Sequence, residues 1–144
     1  ELGHYVWEVA VQDKRESECI AVFGDHNNPT YSEALNAYYK NGPKAGWLTN
    51  YVSAYATMHP WEDFAETFSV YMDMTSALHT AYNNALIPAL NLRDLDSMIT
   101  AYQKLGIALN EMNRANGLLD YLPEVIAPPV QKKLGFIHSL TKGR

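Results

Sequence analysis

Between Asp94 and Asn113 the apolar residues Leu95, Met98, Ile99, Tyr102, Leu105, Leu109 and Met112 recur at i, i+3, i+4 and i+7. That spacing draws one stripe along an α-helix and is incompatible with a strand, whose side chains change face at every residue. Helical periodicity of this kind dominates the chain, and no Asn-Gly or Asp-Gly pair joins two alternating runs as a hairpin would require. The expected fold is therefore all-α. With 144 residues, 47% of them hydrophobic, the chain has the length for one domain with a real core, and residues 1–144 are expected to form a single helical domain.

The remaining elements follow from starts and stops. A first helix carries Val6, Trp7, Ala10 and Val11 on its buried stripe and continues, with a break near Asp13, to Phe23, where Gly24 stops it. Asp25-His26-Asn27-Asn28-Pro29 is turn chemistry. Thr30 with Glu33 makes a capping box for a short helix through Tyr39, which Asn41-Gly42-Pro43 ends. Lys44 to Met58 shows no helical stripe and reads as an irregular, Tyr-rich loop. Pro60 suits a first helical position, so His59 is a candidate cap for a long helix from Trp61 to about Tyr82, with Phe64, Phe68, Tyr71 and Met72 as its apolar stripe. Pro128-Pro129 starts a last helix with Val130, Leu134, Ile137 and Leu140 facing inward.

Charge and cysteine content narrow the function. A formal charge of −5 argues against nucleic acid as the main partner, because phosphate neutralisation needs clustered Lys and Arg. No uninterrupted apolar run is long enough to span a membrane, and no signal peptide is visible. Cys19 stands alone, which rules out an internal disulfide framework and fits a reducing compartment, so the expected location is cytoplasmic.

The chemistry is concentrated in two short segments. Glu1-Leu2-Gly3-His4 reads as the zinc-hydrolase helix motif H-E-x-x-H without its opening histidine. In the complete motif two histidines one helical turn apart hold the metal, and the glutamate faces the water that the metal activates. A catalytic zinc site needs three protein ligands and one open position. A third histidine six residues after His4 is excluded, since that place is Ala10 and Trp7 stands where a glycine would turn the chain. The other arrangement takes a glutamate from a downstream helix, and Glu62, in the first turn after Pro60, is placed for it. Glu66, one turn later, suits a hydrogen bond to the far nitrogen of a ligand histidine. Asp63 is grouped with it as an outer acid of the site. Acids also favour helix starts for dipole reasons alone, which leaves the Phe64-Ala65 spacing between these residues unexplained.

Glu1-x-x-His4, the Tyr-rich stretch Tyr51 to Ala56, and His59-Pro60-Trp61-Glu62-Asp63-Phe64-Ala65-Glu66 together resemble the bacterial zinc-binding metallopeptidase family of gluzincin type. The likeness is carried by the first half of the chain. Members of that family place a cysteine-rich zinc ribbon ahead of the motif. The resemblance implies that the chain is the C-terminal helical portion of a zincin-like metallopeptidase domain acting on peptides or proteins, with zinc as cofactor. His4 and Glu62 would be metal ligands and Glu1 the general base. The Glu-x-x-Ala-Glu segment is also similar to the third-ligand helix of the anthrax lethal factor protease domain, where a tyrosine seven residues before the ligand glutamate assists catalysis. That position here is Tyr55, which would donate to the developing oxyanion, with His59 as an auxiliary donor. Without the opening histidine, the piece is expected to hold zinc weakly. His26, His79 and His138 receive no role.

Two other readings stand beside this one. In one the helix pair serves a non-catalytic protein-interaction or regulatory module, and in the other the acids are coincidental in a purely structural bundle. Geometry separates the last from the rest: a shared metal requires His4 and Glu62 to lie within roughly 5 Å of each other.

Overall fold

The computed structural model describes residues 1–141. Among these residues every regular element is helical, and no strand occurs. The six helices are α1 (Leu2–Ala10), α2 (Glu16–Phe23), α3 (Tyr31–Asn41), α4 (Pro60–Asn83), α5 (Leu95–Ala115) and α6 (Pro128–Thr141). Two short 3-10 turns, Trp47–Thr49 and Tyr55–Thr57, interrupt the loop between α3 and α4. The fold is all-α, and among the described residues no helix is long and apolar enough to cross a membrane.

Contacts gather into two compact units. The first contains residues 1–71 together with those from Ala127 on, and the second runs from Met72 to Ile126. In the first unit the helix boundaries follow the local chemistry. α1 ends at Ala10, Asp13 takes a positive φ of 58° in the turn that follows, and α2 resumes at Glu16, so the expected break is a complete change of helix. Gly24 closes α2 with φ 102°, a value that L-residues rarely adopt. Thr30 caps α3 by accepting from the Glu33 amide while the Glu33 carboxylate accepts from the Thr30 amide, which completes the capping box. His59 caps α4 through its ring, with Nδ1 accepting from the Trp61 amide at 3.2 Å.

The core of this unit is built from Val11, Cys19, Phe23, Phe64, Phe68, Leu134, Phe136 and Ile137, all buried. Phe23 meets Phe64 and Phe136 edge to face at ring distances of 5.5 and 5.9 Å, which ties α2, α4 and α6 together. Val130, Leu134 and Ile137 face inward as their spacing predicts.

In the second unit, Met98, Ile99, Tyr102 and Leu105 form the buried stripe of α5. Its end differs from the expectation, because Met112 is exposed and the buried positions there are Gly106 and Asn110. The return segment explains this. The Asn110 amide accepts from the Tyr121 and Leu122 amides and donates to the Leu122 carbonyl, so a polar side chain replaces apolar packing where the chain folds back. A Cβ on Gly106 would lie 3.3 Å from both the Leu122 side chain and the Pro123 carbonyl oxygen. Met72 also departs from the predicted stripe of α4. It is 44% exposed, and Met74, Leu78 and Ala81 supply the buried face instead.

Candidate metal centre

The site forms where α1 crosses the start of α4, and small residues make that crossing possible. Gly3 is buried against Ala65: a Cβ on Gly3 would stand 2.7 Å from the Ala65 Cα and 2.9 Å from its carbonyl oxygen. The two backbones therefore touch directly. The residue after Gly3 is His4, and Glu62 lies nearly one turn before Ala65, so this close approach brings their side chains together.

His4 Nε2 lies 3.3 Å from Glu62 Oε2. The nitrogen is buried and has no hydrogen-bond partner, so the two atoms face each other without a formed hydrogen bond. For comparison, two ligands bonded to one tetrahedral zinc at the usual bond lengths stand about 3.3–3.5 Å apart, so the pair matches an edge of such a tetrahedron. An orphaned buried imidazole nitrogen beside a buried carboxylate is a donor set that fits the ion. Among the described residues no group of three His, Cys, Asp or Glu side chains converges, and what meets here is the single pair His4 and Glu62.

Aromatic rings hold the pair. The Trp61 indole stacks on the His4 ring at 3.8 Å with a 20° interplanar angle, which fixes the orientation of the imidazole. Glu62 is 5% exposed, and its second oxygen, Oε1, accepts from the Tyr31 hydroxyl at 2.8 Å. No Lys or Arg pairs with Glu62 among the described residues. Burial raises the Tyr31 phenol well above its ordinary pKa, and the Glu62 carboxylate and the nearby Tyr55 hydroxyl add to the shift. At physiological pH Tyr31 is therefore a neutral donor.

The other residues singled out in the sequence are distributed around this pair. Glu1 is exposed at the head of α1 and makes no side-chain cap hydrogen bond. Tyr55 opens the second 3-10 turn, edge-on to the Tyr38 ring at 5.7 Å and beside the Tyr31 hydroxyl. Glu66 accepts from the Ser53 hydroxyl at 2.8 Å, which ties the Tyr-rich loop to α4. His59 is buried and serves as the cap of α4, while its Nε2 lies by the Pro29 and His26 carbonyls without a completed hydrogen bond. Burial lowers its pKa, so the ring is held neutral.

Asp63 points elsewhere. Its carboxylate forms an ion pair with Lys133 Nζ at 2.6 Å, and that ammonium also donates to the Asn50 carbonyl and lies 4.1 Å from the centre of the Tyr51 ring. Burial pushes the Asp63 carboxyl up to about 6, against the opposing pull of Lys133. Its observed role is to join α4, α6 and the Tyr-rich loop. The other three histidines have neighbours of their own. His26 pairs with Glu16 at 3.1 Å, His79 neighbours Asn83, and His138 meets the Tyr71 hydroxyl at 2.9 Å.

Sequence reasoning missed Tyr31, Trp61 and Gly3. For Gly3 a signal was present, since a glycine inside a helix matched by an alanine on the partner helix points to close backbone contact. Tyr31 gave none, being separated from Glu62 by 31 positions and placed in an otherwise ordinary helix start.

The sequence model of a family described as "Putative zinc-binding metallo-peptidase" matches residues 1–140. The chain belongs to that family. Relatives of the chain include uncharacterised proteins of Mycobacterium bovis and of two strains of Mycobacterium tuberculosis, each 36% identical over 150 residues. Those alignments cover 97% of this chain and 44% of each relative, so the chain spans less than half the length of the curated relatives it matches. No solved structure matches it.

Proposed function

We propose that this chain is the helical, glutamate-ligand portion of a zinc-dependent peptidase of gluzincin type that hydrolyses peptide bonds. The observation that carries the reading is the 3.3 Å approach of His4 Nε2 to Glu62 Oε2 in a buried, aromatic-lined setting. His4 and Glu62 would hold the metal, and a histidine at the position immediately before Glu1, one turn ahead of His4, would complete an H-E-x-x-H motif. Bound zinc supplies Lewis acidity, polarising the scissile carbonyl and making water acidic enough to lose a proton near neutral pH.

The remaining steps belong to side chains. Glu1, exposed at the head of α1, accepts the proton of the attacking water as oxygen bonds to the carbonyl carbon. It returns that proton to the amine as the C–N bond breaks. Tyr55 donates a hydrogen bond to the carbonyl oxygen as negative charge develops there. Glu66 orients the completing histidine through its far ring nitrogen. His59 stabilises the start of the ligand helix from its cap position.

Zinc content and peptide cleavage, measured on the chain with its preceding sequence and on the Glu1→Gln variant, test this. About one zinc per chain, with cleavage lost on Glu1→Gln and zinc retained, is expected. A metal-free, inert protein with the α1–α4 pair intact would favour a protein-interaction module.

A further inference from the structure

The two oxygens of Glu62 have different neighbours. Oε1 accepts from the Tyr31 hydroxyl at 2.8 Å, and Oε2 faces His4 Nε2 at 3.3 Å. We infer that Tyr31 is a positioning residue for the metal site, its hydroxyl fixing the rotation of the Glu62 carboxylate so that a single oxygen is presented beside the His4 ring. The inference rests on the zinc reading above and deepens it.

Two features suit Tyr31 to this task. It is the first residue of α3, directly after Thr30, whose capping box holds the helix start in place. Its ring meets the edges of Trp61 and His59 at 5.8 and 5.4 Å, and Trp61 is the indole stacked on His4. One phenol therefore touches the carboxylate ligand through its hydroxyl and the support of the imidazole ligand through its ring. Without this contact the Glu62 carboxylate is free to turn about its terminal bond, which is broad and roughly two-fold, and to offer both oxygens or neither. With its proton donated to Glu62, Tyr31 leaves contact with the substrate carbonyl to Tyr55.

The test is zinc affinity by chelator competition, together with the visible spectrum of the cobalt-substituted protein. Both are measured on the chain with its preceding sequence and on Tyr31→Phe, Tyr55→Phe and Glu62→Gln, with melting of each metal-free form recorded. Tyr31→Phe is expected to weaken zinc binding about 10–100-fold, the usual cost of removing a partner of a metal ligand. It should also alter the cobalt spectrum and leave metal-free melting unchanged, while Tyr55→Phe keeps zinc affinity within about two-fold on the same scale. Wild-type affinity in Tyr31→Phe with zinc lost in Glu62→Gln would overturn the role of Tyr31 and leave the metal site standing. Wild-type affinity in Glu62→Gln would overturn both. Equal losses in the two tyrosine variants, or a Tyr31→Phe loss accompanied by unfolding of the metal-free protein, would assign the effect to general loosening and also overturn the inference.

Discussion

Glu62 and Asp63 are neighbours in one helical turn and both are buried, yet they end in opposite surroundings. Asp63 is neutralised by Lys133 at 2.6 Å within a cluster that joins three segments of the first unit. Glu62 meets a phenol and an imidazole, and no fixed cation pairs with it among the described residues. Successive helical residues are rotated by about 100°, which is enough to send one carboxylate into the core and the other into the α1 crossing. Taking a carboxylate out of water is costly unless charge or hydrogen bonds offset it. At Asp63 the protein supplies the cation itself. At Glu62 it supplies a phenol donor and an unpartnered imidazole nitrogen, which on the reading proposed above is the company suited to an ion taken from solution.

Exchanging the two acids for their amides is the strongest way to break this comparison. Asp63→Asn leaves Lys133 buried opposite a neutral group and should destabilise the protein by about 3–5 kcal/mol in denaturant titrations. Glu62→Gln should leave metal-free stability within about 1 kcal/mol, because the hydrogen bond it alters is a single part-buried one, while zinc content falls to background. Similar stability losses for both would erase the distinction.

Gly3→Ala attacks the crossing that brings His4 and Glu62 together. A methyl group 2.7 Å from the Ala65 Cα has to move a backbone, so a loss of about 1–3 kcal/mol is expected from overpacking, with weaker zinc binding in the same variant. Unchanged melting and affinity would mean that the helices separate without cost. Thr30→Ala is a gentler probe, since it removes one N-cap side chain at about 1 kcal/mol. It should loosen Tyr31 and lower zinc affinity by less than Tyr31→Phe does. Smallest is the effect at Cys19, whose thiol burial pushes up to about 11. At pH 8 it should react with a thiol reagent only as fast as the protein unfolds, and fast labelling of the native chain would contradict the packing of α2.

Much of this was legible in the amino-acid order because the relevant signals are local. Gly24, the Thr30 and Glu33 pair, and Pro60 mark helix ends through their own backbone chemistry, and the structure has them there. The His4 and Glu62 pairing was accessible because the spacing of a known chemistry links two distant segments. Periodicity failed at Met72 and Met112, where the choice between solvent and core depends on neighbours supplied by other segments. Asp63 and Glu66 read alike as acids of one helix start, yet Lys133 claims one and Ser53 hydrogen-bonds the other, and both partners lie outside the helix. Tyr31 was unreadable for the same reason, since its meaning rests wholly on a contact made after folding.

The stacking of Trp61 on His4 gives the molecule a built-in optical gauge. An excited indole readily gives up an electron, and an imidazole that has gained positive character, by protonation or by coordination, is a better acceptor at 3.8 Å than a neutral one. On the zinc reading proposed above, emission from Trp61 should therefore dim as the His4 ring takes up the ion, so that loading can be followed in real time without any added dye.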